Sequence, residues 1–86
     1  MKIVFTKKAW NEYISWENED KRILNKLNTL IEDIVRNGNK GLGKPEPLIG
    51  DLTGFWSRRL TVKDRLVYTI EDDSVIIVKC HNHYGN

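Results

Sequence analysis

The chain has 86 residues, of which 14 are basic and 12 acidic, so its formal net charge is only +2. A chain of this length forms one domain with a modest core, so an active site must lie on an open surface or be completed by a partner. The apolar runs are too short for a membrane span or a secretory signal, which predicts a cytoplasmic protein without membrane contact.

The cysteine and histidine content bears on metals and disulfides. The single cysteine, Cys80, cannot form an internal disulfide, and its place in an apolar run predicts a buried side chain. One cysteine and two histidines are too few for a zinc site, and we predict no metal and no cofactor. The excess of positive charge lies in residues 38–65, with six basic and three acidic side chains, which makes this segment the candidate for contact with a polyanion.

The first half of the chain predicts a strand and two helices. Lys2–Phe5 is short and rich in β-branched and aromatic residues, as strands are, and Thr6 can cap the helix that follows. A second helix begins near Asp20, another good N-cap, and ends at Gly38. Its apolar residues recur at the spacing of a core-facing stripe: Ile23, Leu27, Leu30, Ile31 and Ile34.

The second half predicts a long loop and three strands. Residues 37–54 are rich in Gly, Pro and Asn and form the loop; residues 55–61, 65–71 and 75–84 form the strands. Short turns join antiparallel neighbours. The order β-α-α-β-β-β therefore predicts a single domain over residues 1–86. Its class is α+β, with two N-terminal helices packed on one face of an antiparallel sheet and the other face open.

The motif GKPEPL places a carboxylate between two prolines. Proline fixes its own φ and pushes the preceding residue toward an extended conformation, so Glu46 lies on a stiffened piece of loop. Two interpretations fit. Glu46 is a general base held in place before a substrate arrives, or it is the solvent-facing acid of a rigid connector.

The run GFWSRRLTVKDRLVY carries arginines on a predicted hairpin. Alternation places Phe55, Ser57 and Arg59 on one face and Trp56, Arg58 and Leu60 on the other, and Arg65 opens the next strand. Guanidinium groups suit a phosphate and the extra charge of a pentavalent transition state. The alternative is a salt-bridged surface hairpin, with Asp64 or Glu71 as partners.

The closing run KCHNHY supplies candidates for a general acid. If the last strand continues to Tyr84, His81 and His83 share one face, and Tyr84 can stack on a base. Histidine is the usual general acid at neutral pH. The alternative is a polar tail without a role. Together the three clusters offer a base, phosphate-binding cations and an acid, which is the set that RNA cleavage without a metal requires.

These motifs carry a resemblance. The segments GLGKPEPL, LTGFWSRRLT, DRLVY and CHNHY, with DKRI earlier in the chain, resemble the YoeB toxins of the RelE superfamily of ribosome-dependent mRNA interferases. The resemblance spans essentially the whole chain and implies a RelE-like fold. It matches Glu46 to the general base, Arg65 to the phosphate-stabilising arginine and His83 to the general acid. Arg59 and Tyr84 match residues around the site, and we assign Lys44, in the basic stretch, to substrate binding.

The resemblance also implies an activity and partners. The activity is cleavage of mRNA in the A site of the 70S ribosome, leaving a 2′,3′-cyclic phosphate and a 5′-hydroxyl. The implied partner that inhibits the toxin is a partly disordered, YefM-like antitoxin. The toxin would reach operator DNA only through this antitoxin. The resemblance leaves open whether the toxin forms a homodimer. We predict that the antitoxin docks on a surface that joins Lys40, Lys44, Arg58 and Arg59 to residues 80–84.

The chain departs from the family pattern at two places. Ile49 and Gly50 follow PEPL where the family often has a basic residue, and His81 stands where it often has an arginine. The alternative to an enzyme is a catalytically silent module that acts with its antitoxin as a co-repressor. A ribosome-independent RNA-binding protein fits less well, because the net charge is small for tight non-specific binding.

Overall fold

The computed structural model describes residues 1–82. These residues form five strands, two helices and one 3₁₀ turn. In chain order they are β1 (Lys2–Phe5), α1 (Lys7–Glu19), α2 (Lys21–Asn37), β2 (Glu46–Pro47), the 3₁₀ turn Gly50–Leu52, β3 (Trp56–Arg59), β4 (Arg65–Glu71) and β5 (Ser74–Lys79). Within this part of the chain, no helix has the length and apolar character needed to cross a membrane.

The helix ends follow the capping signals in the sequence. The side chain of Thr6 accepts from the Ala9 N–H at 3.1 Å, and that of Asp20 accepts from the Arg22 N–H at 3.0 Å. Gly38 ends α2 with φ 66°, in the left-handed region that favours glycine. The apolar stripe of α2 is buried at Leu27, Leu30, Ile31 and Ile34, while Ile23 is half-buried against the core.

The sheet has the strand order β1-β5-β4-β3-β2. The pairs β2–β3, β3–β4 and β4–β5 are antiparallel, whereas β1 runs parallel to β5. The predicted α+β class and antiparallel meander are confirmed, with β1 as a parallel addition. Since β1 and β5 are far apart in the chain, no tight turn sets their relative direction.

Two strand boundaries differ from the prediction. The predicted loop contains β2, whose Glu46 pairs with Ser57 of β3, and Pro47 is tolerated because β2 is an edge strand. The last strand ends at Lys79 instead of reaching residue 84. The N–H groups of Cys80 and His81 donate to a side chain of α1 instead of a strand. The predicted strand positions His83 and Tyr84 lie outside the described residues.

The sheet has two unlike faces. The face toward the helices is apolar and buries Leu66, Tyr68, Val75 and Ile77 with the stripe of α2. On the other face, residues paired across the strands form a row from β2 to β5: Glu46, Ser57, Val67 and Lys79. Arg59 and Arg65 are also paired across β3 and β4, one row further along. The prediction of an open sheet face therefore agrees with the strand register.

Candidate active site

A groove of about 420 Å³ lies on the open face of the sheet. Its walls come from β2 to β5, from the segment after β2, from the β3–β4 turn and from the segment after β5. The lining residues are Glu46, Leu48, Leu52, Ser57, Lys63, Arg65, Val67, Lys79 and Asn82. Two of the three predicted catalytic residues, Glu46 and Arg65, are among them.

Glu46 and Arg65 face each other inside this groove. Nη1 of Arg65 lies 2.9 Å from Oε1 of Glu46, and the same nitrogen lies 3.5 Å from Oγ of the buried Ser57. The two charged side chains are about half exposed, at 42% for Arg65 and 56% for Glu46. An ion pair this exposed is weak and exchangeable, so an incoming phosphate can replace the carboxylate on the guanidinium.

Two of the predicted substrate-binding residues, Arg59 and Lys44, are not among the residues that line the groove. Arg59 is exposed and shares the open face with Arg65, its partner across the strands. Its N–H donates to the Gly43 carbonyl at 2.7 Å, which holds the loop before β2 against β3. Lys44 is exposed, with φ 52°, and does not line the groove. The structure thus places Arg59 next to Arg65 across the strands and leaves Lys44 outside the groove.

The predicted docking surface is wrong at Arg58, which is buried. Its side chain is fully buried on the helix side, where Nη1 lies 2.5 Å from Oδ2 of Asp33. The guanidinium also donates to the carbonyls of Gly38, Lys40 and Leu42. The hydrogen bond from Arg58, together with that from the Leu42 N–H, holds the pKa of Asp33 below its usual 3.8. Arg58 therefore fixes the loop that leads to Glu46 and is not available to an antitoxin.

Side chains of α1 hold the segment after β5 through hydrogen bonds to its backbone. Oε1 of Glu12, a residue only 2% exposed, accepts from the N–H groups of Cys80 at 2.8 Å and His81 at 3.1 Å. Trp16, one helical turn further on, donates from Nε1 to the Cys80 carbonyl at 2.9 Å. Sequence reasoning missed Glu12, although an acid on the same helix face as the buried Ala9 and Trp16 was the available signal.

The β3–β4 turn holds the same segment from the other side. Oδ1 of the buried Asp64 accepts from the Asn82 N–H at 2.7 Å, and Nδ2 of Asn82 donates to the Lys63 carbonyl at 2.8 Å. Oδ2 of Asp64 accepts from the Thr61 hydroxyl at 2.6 Å. The salt-bridged hairpin named Asp64 or Glu71 as a surface partner for the arginines, and the buried Asp64 does not take that role. Asn82, one residue before His83, lines the groove.

His81 lies on the helix side of this segment. Its ring stacks on Trp16 with centroids 4.0 Å apart, and Nε2 lies 2.7 Å from Oε2 of Glu19. Nδ1 lies 3.6 Å from Oδ1 of Asp64, and the residue is 7% exposed. His81, the competing candidate for the acid, thus packs away from the groove. His83 and Tyr84 lie outside the described residues, and their assigned roles stay predictions.

Cys80 is a buried thiol, as predicted. Burial, with smaller contributions from the carboxylates of Glu12 and Asp64, raises its pKa to about 12. A thiol with so high a pKa is not a nucleophile at neutral pH. Within residues 1–82, no three His, Cys, Asp or Glu side chains gather where they could hold a metal ion.

One known protein family matches almost the whole chain. A family model described as "YoeB-like toxin of bacterial type II toxin-antitoxin system" matches residues 5–84. The chain belongs to this family. Toxin YoeB of Escherichia coli strain K12 is 49% identical over 84 residues, covering 98% of this chain and 100% of that toxin. Toxin YoeB of Streptomyces coelicolor is 48% identical, with the same coverage.

Solved structures of YoeB proteins share the architecture. A chain of the heterotetrameric YoeB–YefM toxin–antitoxin complex from Staphylococcus aureus aligns with a TM-score of 0.92 at 41% identity, over 98% of both chains. A YoeB dimer from the same organism aligns at 0.89, also at 41% identity and 98% coverage of both. A YafQ mutant from Escherichia coli aligns with a TM-score of 0.79 over 95% of this chain and 92% of its own. At 18% sequence identity, this match shows a shared fold and nothing more. The predicted family and RelE-like fold are confirmed, and the chain is a toxin of a type II toxin–antitoxin system.

Proposed function

We propose that this toxin is an endoribonuclease that cuts mRNA in the A site of the 70S ribosome. The observation that carries the proposal is the Glu46–Arg65 pair, 2.9 Å apart in an open groove of a chain from the YoeB family. A carboxylate beside a guanidinium supplies a proton acceptor and a phosphate-binding cation at one point, which suits attack by a ribose hydroxyl on its own phosphodiester.

The reaction uses three side chains. Glu46 takes the proton of the 2′-hydroxyl, whose oxygen attacks the adjacent phosphorus. Arg65 leaves the carboxylate and stabilises the phosphorane. His83 protonates the 5′-oxygen as the bond from phosphorus to that oxygen breaks, which leaves a 2′,3′-cyclic phosphate and a 5′-hydroxyl. Arg59, Lys44 and Tyr84 bind the RNA on either side of the cut, Tyr84 by stacking on a base.

The open shape of the groove supports dependence on the ribosome. A groove that does not enclose its substrate cannot by itself hold a flexible RNA in the geometry for attack. The ribosomal A site supplies an mRNA that is already positioned, and positioning can contribute much of the rate. The exposed Ile49, in place of a basic residue, increases this dependence because the chain itself has less attraction for RNA.

The partners follow from the family. The Staphylococcus aureus relative forms a complex with YefM, and another structure of it is a dimer. We propose that residues 1–86 act in the cytoplasm as one toxin domain, neutralised by a partly disordered, YefM-like antitoxin that also carries it to operator DNA. A segment that folds on binding covers a large area and is released by proteolysis. Without the buried Arg58, Cys80 and His81, its docking surface comprises Lys40, Lys44 and Arg59 with residues 82–84.

Cleavage of a defined mRNA on programmed ribosomes tests the activity. The wild-type chain should yield a fragment with a 2′,3′-cyclic phosphate, identified by mass. Glu46→Gln keeps the shape of the side chain and removes the base, so the single-turnover rate should fall roughly 100-fold with an unchanged melting temperature. Wild-type cleavage by the Glu46→Gln variant would remove Glu46 from the mechanism. A wild-type chain that cuts no mRNA but represses its operon with the antitoxin would favour the silent co-repressor.

A further inference from the structure

A lysine that has no assigned role lies in the groove, at the far end from Glu46. Lys79 is the last residue of β5, and its partner across the strands is Val67. It therefore ends the row that begins at Glu46, and three strand spacings, about 14 Å, separate the two backbones. Lys79 is half-buried, and none of the acidic side chains in residues 1–82 forms an ion pair with it. Its charge is thus open to a ligand in the groove.

The two ends of the groove correspond to the two ends of the reacting phosphodiester. This step rests on the function proposed above. The base acts on the 2′-hydroxyl, which belongs to the nucleotide on the 5′ side of the cut. The acid acts on the leaving 5′-oxygen, which belongs to the nucleotide on the 3′ side. In-line displacement keeps these two oxygens on opposite sides of the phosphorus. The nucleotide on the 5′ side therefore lies toward Glu46, and the one on the 3′ side lies beyond Arg65.

Asn82, which precedes the proposed acid in the sequence, lies at the end of the groove beyond Arg65. Asn82, the residue before His83, is fixed by Asp64 and by the Lys63 carbonyl, and it lines the groove together with Lys79. This end of the groove is on the opposite side of Arg65 from Glu46. The leaving nucleotide thus points toward β5 and the residues that follow it.

We propose that Lys79 binds the phosphate immediately 3′ of the scissile phosphate, so that the mRNA crosses the sheet with its 5′ side over β2 and its 3′ side over β5. The ammonium meets a phosphate without displacing an internal partner. The contact draws the leaving nucleotide into line with the attacking oxygen. It also supplies a phosphate-binding cation within the groove itself, in a chain that has Ile49 where its family often has a basic residue.

The test combines a protein variant with a chemically altered mRNA. The wild-type cut site is first mapped on programmed ribosomes. The same mRNA is then synthesised with a neutral methylphosphonate in place of the phosphate one linkage 3′ of the cut, or one linkage 5′ of it. Lys79→Gln should slow single-turnover cleavage of the all-phosphate mRNA roughly tenfold, as expected for loss of a charge-assisted contact. On the mRNA with the neutral 3′ linkage, wild type and Lys79→Gln should cleave at the same reduced rate.

The controls separate this proposal from its alternatives. Lys26→Gln, a matched change on the exposed side of α2, should leave every rate unchanged. The proposal is wrong if Lys79→Gln cleaves like wild type, if its effect multiplies with that of the neutral 3′ linkage, or if its effect disappears with the neutral 5′ linkage instead. In each of these cases wild-type cleavage persists. Failure of the endoribonuclease function is recognised separately, because the wild-type chain would then cut none of the three mRNAs.

Discussion

At the scale of single residues, the site contrasts two arginines that are adjacent in the chain. Arg58 is buried and satisfied by Asp33 and three carbonyls, while Arg59 points to the open face beside Arg65. Alternation along β3 predicted that they lie on opposite faces. It did not predict which face is covered, because burial of Arg58 depends on Asp33, 25 positions earlier. A buried guanidinium is tolerated only when its donors are matched, and a strand pattern does not reveal such partners.

A paired substitution distinguishes the two histidines of the closing run as candidates for the acid. His83→Gln should slow cleavage of ribosome-bound mRNA by roughly 100-fold, because in the proposed mechanism His83 is the proton donor for the leaving oxygen. His81→Gln should stay within about threefold of wild type, because the His81 ring packs on Trp16 and its replacement can still hydrogen-bond to Glu19. Single-turnover rates measure both effects. The opposite ranking would assign the acid to His81.

At the scale of elements, local signals were read correctly and long-range pairings were missed. Thr6, Asp20 and Gly38 each bond within four residues, so their roles are visible in the sequence. The pairing of Glu46 with Ser57 and the end of β5 at Lys79 depend on contacts between distant segments. The candidate site follows the same division. The motifs predicted Glu46 and Arg65, which the structure places 2.9 Å apart, but they predicted neither the support given by Glu12 nor the position of Lys79.

The contact of α1 with the segment after β5 predicts a graded effect at Glu12. Glu12→Gln keeps an oxygen that can accept from the N–H groups of Cys80 and His81, whereas Glu12→Leu leaves both donors without a partner. We expect Glu12→Leu to lose hydrogen-exchange protection at these two amides and to slow mRNA cleavage at least tenfold, and Glu12→Gln to retain most of both. If Glu12→Leu kept full cleavage after losing amide protection, α1 would have no part in positioning the acid.

At the scale of the whole molecule, the core that stabilises the fold and the candidate active site lie on opposite faces of one sheet. The helices cover the apolar face, and the groove occupies the other. Arg58 links them, since its guanidinium on the helix side holds the carbonyls of the loop that leads to β2. A defect at this buried group should therefore affect the fold and the position of Glu46 together.

Thermal unfolding of variants at the neighbouring residues Arg58 and Arg59 tests whether the buried guanidinium supports the fold. Arg58→Met breaks the buried pair with Asp33 and should lower Tm by roughly 10 °C or more, whereas Arg59→Met should leave Tm nearly unchanged. The pair also predicts a pH dependence. Because the folded pKa of Asp33 lies below 3.8, its contribution is complete above that pH and is lost as the pH falls through the folded pKa. Equal Tm values for the two variants would contradict the role of Arg58.

The parallel pairing of β1 with β5 has a consequence for the order of folding. Lys2 pairs with Ser74, 72 positions further along the chain, while β3, β4 and β5 are joined by short turns. Contacts between near neighbours form at a small cost in chain entropy, whereas bringing distant segments together is slow. We expect the β3–β5 meander to form early and β1 to dock last. Substitutions in β1 should then accelerate unfolding and leave the refolding rate almost unchanged, which places them on one arm of a chevron plot.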